Sequence, residues 1–312
     1  MKCATACALL AACGDNLAGS PPRAVPQVAG DWWNISGVPD LGALNAPGQQ
    51  PVDFTIWQAP DAMWHLWSCI RFTGVGGNSR LFYHWQSPSL TASDWEPTGI
   101  AMEADPSVGE IAGGLQAPFV FRDGATFHLF YGAWQAICSA TSTDGVTFTR
   151  VLDAHGQCPL FDEGQGENTR DPMVVRAGDH WQVVYTAFAP DGGAVYARTS
   201  DDLVHWSGSR RIAYGGVAGV GGSAGESPFI TDRGELGYFL FRTHAYGADA
   251  ATEVYQSSDP EDFGIDTDRF HVASLPIASP ELIDAGGESF IAAFKPDTDG
   301  IRISHLTWVP EP

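Results

Sequence analysis

Asp171-Pro172-Met173-Val174-Val175-Arg176-Ala177-Gly178-Asp179-His180-Trp181-Gln182-Val183-Val184-Tyr185-Thr186 is the stretch that decides the fold. A short apolar run meets a Gly-Asp turn. Alternation follows, with Trp181, Val183 and Tyr185 on one face, so two antiparallel strands are predicted. Asp191-Gly192-Gly193 is a hairpin signal leading into a third strand over 194–199. Ser200-x-Asp202-x-x-x-Trp206 then makes a turn before a fourth strand over 210–214. The opening signature returns at Asp53-Phe54-Thr55-Ile56-Trp57, Ala117-Pro118-Phe119-Val120-Phe121, Ser227-Pro228-Phe229-Ile230-Thr231 and Ser279-Pro280-Glu281-Leu282-Ile283. Successive copies start 52 to 64 residues apart. Repetition at this period, with four antiparallel strands per repeat, is the mark of propeller blades.

The other repeats agree. Second strands are expected over 63–68, 126–131, 237–242 and 289–294. The turn recurs at Ser142/Asp144/Phe148 and Ser257/Asp259/Phe263, and in degenerate form at Ser89…Trp95. Its small polar residues can bond the local backbone while the aromatic plugs the blade, so these aspartates are given no catalytic part. The fifth repeat runs out near Trp308 without a fourth strand. A strand within 27–35 is expected to close the ring. The prediction is an all-β, single-domain, five-bladed β-propeller over residues 27–312.

With 16 basic against 37 acidic residues, the formal net charge of −21 argues against nucleic acid as a partner. Anionic polymers such as pectate also fit poorly, unless a local basic patch offsets the field. A neutral oligo- or polysaccharide is compatible, and a monomer is expected. At the N-terminus, Leu10-Ala11-Ala12-Cys13 is similar to a bacterial lipobox. Residues 1–13 then read as a signal peptide with Cys13 lipidated, and 14–26 as a tether. The apolar stretch is too short to span a bilayer. The expectation is a bacterial exported protein, periplasmic or on the cell surface, touching the membrane only through that lipid. Cys138 and Cys158 can pair in an oxidising compartment, leaving Cys69 buried and reduced. No cysteine–histidine cluster has zinc spacing, so no metal and no cofactor are predicted.

Three repeats carry a carboxylate at or beside the signature's first position: Asp53, Asp171 and Glu226. Inner strands of a propeller line its axis, so these acids should converge at one mouth. Three acids around one funnel repel, which pushes their proton affinities apart. Acid/base cleavage of a glycosidic bond needs one carboxyl protonated and one ionised.

Here the residues carry a resemblance. Thr169-Arg170-Asp171-Pro172 is similar to the Arg-Asp-Pro motif of glycoside hydrolase families 32 and 68. Gly225-Glu226-Ser227-Pro228 is similar to the Glu-containing motif that follows it there and in family 43. Val52-Asp53-Phe54 takes the place of the first-blade acid, with Phe54 where proline is usual. From about residue 30 onward the chain resembles the five-bladed propeller glycoside hydrolases, families 43, 62, 32 and 68. The resemblance implies Glu226 as general acid and Asp171 as the residue that orients it, raises its pKa and stabilises an oxocarbenium-like transition state. It implies Asp53 as general base in an inverting, family 43-like enzyme acting on an arabinofuranoside or xyloside. In a retaining, family 32-like fructosidase or fructosyltransferase, Asp53 would be the nucleophile. The family 32 motif of the Trp-Met-Asn-Asp-Pro-Asn-Gly type is absent, with Asp31-Trp32-Trp33-Asn34 in its neighbourhood. Asp31 is therefore an alternative first acid, and the family 43-like reading is favoured. A sugar-binding propeller without turnover is the reading from another class. A structural calcium occurs in some family 43 enzymes, although no motif here demands one.

Second strands run back toward the same mouth, so their ends should rim the pocket. Those ends hold Arg71, Trp134, Arg242 and His244. Trp134 is a candidate to stack on a sugar, and Arg242 to bond hydroxyls or tune an acid. His244 is read as a loop residue. Gln116 stands where blade 2 lacks a carboxylate, and Arg170 is placed to hold Asp171 ionised. Glu163 and Glu167 are expected to be solvated.

Overall fold

The computed structural model describes residues 21–164, 166–189, 192–297 and 299–311. The signal segment and Cys13 lie outside the described residues. Five antiparallel sheets surround one axis. From the axis outward, blade 1 holds Gln50–Gln58, Trp64–Arg71, Leu81–Ser87 and Glu96–Met102. Blade 2 holds Gln116–Asp123, Thr126–Gly132 and Ile137–Ser142, with its outer edge shared by two short strands, Thr149–Arg150 and Pro159–Phe161. Blade 3 holds Arg170–Ala177, His180–Ala189, Gly192–Ser200 and Arg210–Ala213. Blade 4 holds Glu226–Asp232, Tyr238–Ala245, Ala251–Ser257 and His271–Leu275. Blade 5 holds Glu281–Ala285, Glu288–Phe294 and Gly300–Pro310.

Blade 5 takes its outermost strand from the other end of the chain. Ala24–Gly37 pairs antiparallel with Gly300–Pro310, from Ala24 opposite Pro310 to Gly37 opposite Gly300. The ring is thus closed as expected, but the strand starts earlier than predicted. Ala24, Val25 and Pro26 belong to the blade and not to a tether, because their backbone joins the ladder and Ala24 is buried.

The recurrent turns do the structural work their composition suggests. Asp144 Oδ1 accepts N–H bonds from Val146 and Thr147 at 2.8 Å each, and Asp202 repeats the arrangement with Val204 and His205. Those backbone bonds lead the causes that lower the Asp144 pKa to about 2. The following aromatics plug the blades. Phe148 packs edge-on to Trp67 at 5.2 Å, and Trp206 lies 5.7 Å from Phe130. Trp57 of blade 1 donates its indole N–H to the Gly145 carbonyl of blade 2 at 2.8 Å, which ties neighbouring blades together. Cys138 and Cys158 form a disulfide across the outer part of blade 2, with Cα atoms 5.4 Å apart. Cys69 is a buried free thiol, raised to about 12 by burial. Among the described residues, no helix is long and apolar enough to cross a membrane.

Candidate active site

The signature's first residue has the same unusual backbone in all five blades. Asp53 (φ 37°), Ala117 (41°), Asp171 (56°), Ser227 (45°) and Ser279 (49°) are all left-handed. None is glycine, so each costs about 1–2 kcal/mol of steric strain. In blades 1 to 4 the ladder between inner and second strands slips across this point, as between Val52 and Phe54 or Glu226 and Phe229. The slip breaks the strict in-out alternation of the strand. Two tiers of side chains result. Val52, Gln116, Arg170 and Glu226, each just before the left-handed residue, line the mouth. Asp53 and Asp171, at the left-handed position itself, line both the mouth and the narrow channel behind it, where Ala117, Ser227 and Ser279 complete the ring. The three predicted acids therefore meet in one cavity of about 240 Å³, with Glu226 a tier above the two aspartates.

Arg170 links the tiers. Its Nη2 donates to Glu226 Oε1 at 2.7 Å, and its Nε lies 3.8 Å from Asp171 Oδ2. The guanidinium stacks 4.6 Å over the Phe188 ring. Asp171 is 6% exposed and accepts the Ser227 backbone N–H at 3.0 Å. The Ser227 hydroxyl donates to Asp53 Oδ1 at 3.3 Å. It also lies 2.7 Å from the Ser279 hydroxyl and 3.4 Å from that of Tyr246. Ser279 can donate to Tyr246, Tyr246 to Ser227 and Ser227 to Asp53. Such a chain points its last proton at an ionised Asp53.

Burial raises the Asp171 pKa to about 7, with the Asp53 charge next in importance and Arg170 opposing. Burial also raises Asp53, with the Glu226 charge acting the same way, while Arg80 first and then Arg71 and Arg170 oppose. Three guanidinium groups oppose burial at Asp53 and one does so at Asp171, so Asp53 ionises first and its charge keeps the proton on Asp171. Tyr246 is raised well above its ordinary value, by burial first and then by the three carboxylates, and stays a neutral hydroxyl.

The remaining candidates divide. Gln116 lines the cavity, and its buried side-chain oxygen has no protein partner. Arg71 lines it too, with Nε donating to Gln50 Oε1 at 2.6 Å. Trp134 is not among the lining residues. Its ring packs 5.3 Å from the guanidinium of Arg80, which does line the cavity. Arg242 is also elsewhere. It is 1% exposed and donates to the carbonyls of Ala224, Gly215 (3.1 Å) and Gly219 (3.0 Å), which braces the 215–225 loop. His244 pairs with Glu253 at 3.0 Å. Asp31 is exposed on the outermost strand of blade 5, the wrong end of the blade for a first acid. Glu163 is not solvated. It accepts 2.6 Å bonds from Tyr185 and Arg198 in a half-buried cluster.

Arg80, Asn168, Phe188, Tyr246 and Phe294 complete the lining and were not foreseen. Phe188 and Phe294 lie at or next to the ends of second strands and Tyr246 just past one, so the rule that selected Arg71 would have found them if applied to every blade. Arg80 and Asn168 sit in connections and carry no such signal. The Glu110, Cys138 and Cys158 side chains cluster, but both sulfurs are consumed by the disulfide and offer no thiolate to a metal.

No family model matches the sequence. A "Probable sucrose-6-phosphate hydrolase" of Psychromonas ingrahamii is 28% identical over 196 residues, which is 56% of this chain. The matched region spans only 31% of that relative's length. Three solved structures are similar in shape. A thermostable family-43 glycoside hydrolase has a TM-score of 0.61 at 17% identity, covering 84% of this chain and 89% of its own. An exo-1,5-alpha-L-arabinanase from a bovine ruminal metagenomic library has a TM-score of 0.60 at 18% identity, covering 83% and 92%. The Bombyx mori family 32 beta-fructofuranosidase has a TM-score of 0.55 at 19% identity, covering 83% and 58%. The chain has the five-bladed propeller fold that these glycoside hydrolases of families 43 and 32 share.

Proposed function

We propose that this protein hydrolyses a glycosidic bond, with Glu226 as general acid, Asp53 as general base and Asp171 as the modulator between them. The observation that carries the reading is the meeting of three acids from blades 1, 3 and 4 in one cavity, in unlike surroundings. Glu226, in the upper tier, has its side chain 24% exposed against 5% for Asp171, and is the carboxyl assigned to meet the leaving oxygen. Arg170 holds its carboxylate at 2.7 Å. Movement of that guanidinium toward Asp171 frees Glu226 to carry a proton. Asp53, compensated by arginines and by the Ser227 hydroxyl, stays ionised to activate water. Gln116 offers an acceptor to a sugar hydroxyl. The reacting sugar is proposed to be a pentoside of the arabinofuranoside or xyloside type, as the names of the shape relatives suggest. The disulfide suits an oxidising compartment, which supports an exported enzyme.

The test is sugar release from natural arabino-, xylo-, galacto- and fructo-oligosaccharides by wild type and Glu226→Gln. Turnover that falls by about 10²–10⁴ in the variant on natural substrates, and less on activated aryl glycosides, is expected. Equal activity in both removes Glu226 from the mechanism. The Psychromonas relative favours a second reading, hydrolysis of a fructoside with Asp53 as nucleophile. The anomer released first, followed by NMR, separates them: inversion supports the base, retention the nucleophile.

A further inference from the structure

The cavity that receives these three acids also holds three arginines: Arg71, Arg80 and Arg170. Arg170 is committed to Glu226 and Asp171. Arg71 and Arg80 are not committed to any carboxylate within 4.0 Å among the described residues. Arg71 uses Nε and one Nη on the neutral side chain of Gln50. The Arg80 guanidinium lies over Trp134, and among the described residues its one hydrogen-bond contact is a 4.0 Å approach to Cys69 Sγ. A guanidinium carries five N–H donors, so Arg80 faces the cavity with most of its own unused. Both arginines act on Asp53 through their fields. One carboxylate does not balance two guanidinium groups. The excess grows in the state that reacts. Once Glu226 holds the proton for the leaving oxygen, three positive charges face at most two negative ones.

We propose that the cavity takes a glycan bearing an anionic substituent, a carboxylate or a sulfate or phosphate ester, held by Arg71 and Arg80 beside the reacting bond. The proposal rests on the hydrolase reading and narrows its substrate. It also supplies the local basic patch that the whole-chain charge of −21 would otherwise make improbable. A planar, forked guanidinium suits such groups, which accept two parallel hydrogen bonds. The acidic exterior acts over roughly 8–10 Å at physiological ionic strength. It therefore disfavours long polyanions while leaving short, singly charged oligosaccharides free to enter.

The experiment is calorimetric binding of matched pairs to the wild-type protein: glucuronate, glucose 6-sulfate and glucose 6-phosphate, each against glucose. At least one charged ligand is expected to bind about tenfold tighter than its neutral parent, and the margin should shrink between low and high salt. Arg80→Gln and Arg71→Gln should each remove most of that margin, read as the ratio of charged to neutral affinity within the same variant. Arg80→Lys, which keeps the charge, should retain part of it and guards against a folding defect. Which charged ligand wins separates carboxylate from ester. Equal binding of charged and neutral ligands, no binding of any, or a preference that survives in Arg71→Gln/Arg80→Gln would each overturn the proposal. Binding needs no turnover, so Glu226→Gln should keep the preference. A preference kept by a protein that hydrolyses nothing would refute the hydrolase reading alone.

Discussion

Ser227→Ala isolates one hydrogen bond in the acid cluster. The substitution leaves the backbone N–H that Asp171 accepts at 3.0 Å and removes the hydroxyl that Asp53 accepts at 3.3 Å. Alanine keeps the Cβ, so the left-handed backbone gains no new strain. A hydrogen bond to a charged acceptor contributes about 1.5–3 kcal/mol, and the length of this one places it at the low end. About 1.4 kcal/mol is a tenfold change in an equilibrium. The hydroxyl favours the ionised form of Asp53, so its loss adds to burial in favouring the proton. At acidic pH the ionised fraction of Asp53 should therefore fall about tenfold, and kcat/KM with it. On the plateau, where Asp53 is ionised with or without the bond, the loss should be at most about threefold. The assay is kcat/KM against pH on a natural oligosaccharide, with Ser279→Ala as a weaker perturbation one step further along the hydroxyl chain. A uniform loss at every pH, or a displaced alkaline limb, would show that Ser227 does not act through Asp53.

Asp171→Asn should stabilise the fold at neutral pH while reducing activity. The folded-state pKa of about 7 lies above the ordinary 3.8, so wild type holds this contribution fully below pH 4 and loses it as pH rises through 7. Urea unfolding across that window should show the variant gaining a few kcal/mol over wild type toward pH 8, and nothing near pH 4. Cys138→Ala/Cys158→Ala opens a loop with a sequence separation of 20 and should cost about 3 kcal/mol, read by denaturant midpoints with and without reductant. Arg242→Met leaves the carbonyls of Ala224, Gly215 and Gly219 without their donor and should cost about 3 kcal/mol. The 215–225 loop leads directly into Glu226, so KM should rise as well.

The blades were legible because a propeller repeats its physics. Each inner strand needs an apolar run, each second strand an alternating face, and each turn a small polar residue followed by an aromatic. The acids were legible for the same reason, since equivalent positions converge on one axis. The tiers were not. A period of two predicts which face a side chain takes only while the ladder is regular, and here the ladder slips at the residue that matters. Asp53 and Glu226 consequently lie in different tiers, although a simple repeat alignment sets them almost level. Trp134 and Arg242 misled for a related reason. Both stand near the ends of second strands, where loops from the neighbouring repeat offer partners: an arginine for Trp134, three carbonyls for Arg242. Their residue types are equally suited to a sugar, and only the path of the loops decides.

Closure of the ring has a consequence for how the chain is made. Ala24 pairs with Pro310, so the strand that starts at Ala24 must wait on synthesis of the strand that ends at Pro310. At roughly 5–20 residues per second, that wait is of the order of tens of seconds. During it the outer strand of blade 5 has no sheet to join, and the axis that gathers the acids is open on one side. The ring around the acid cluster thus cannot close until Gly300–Pro310 has been made. A nascent chain cut short anywhere in blade 5 leaves an unpaired strand edge exposed to its neighbours.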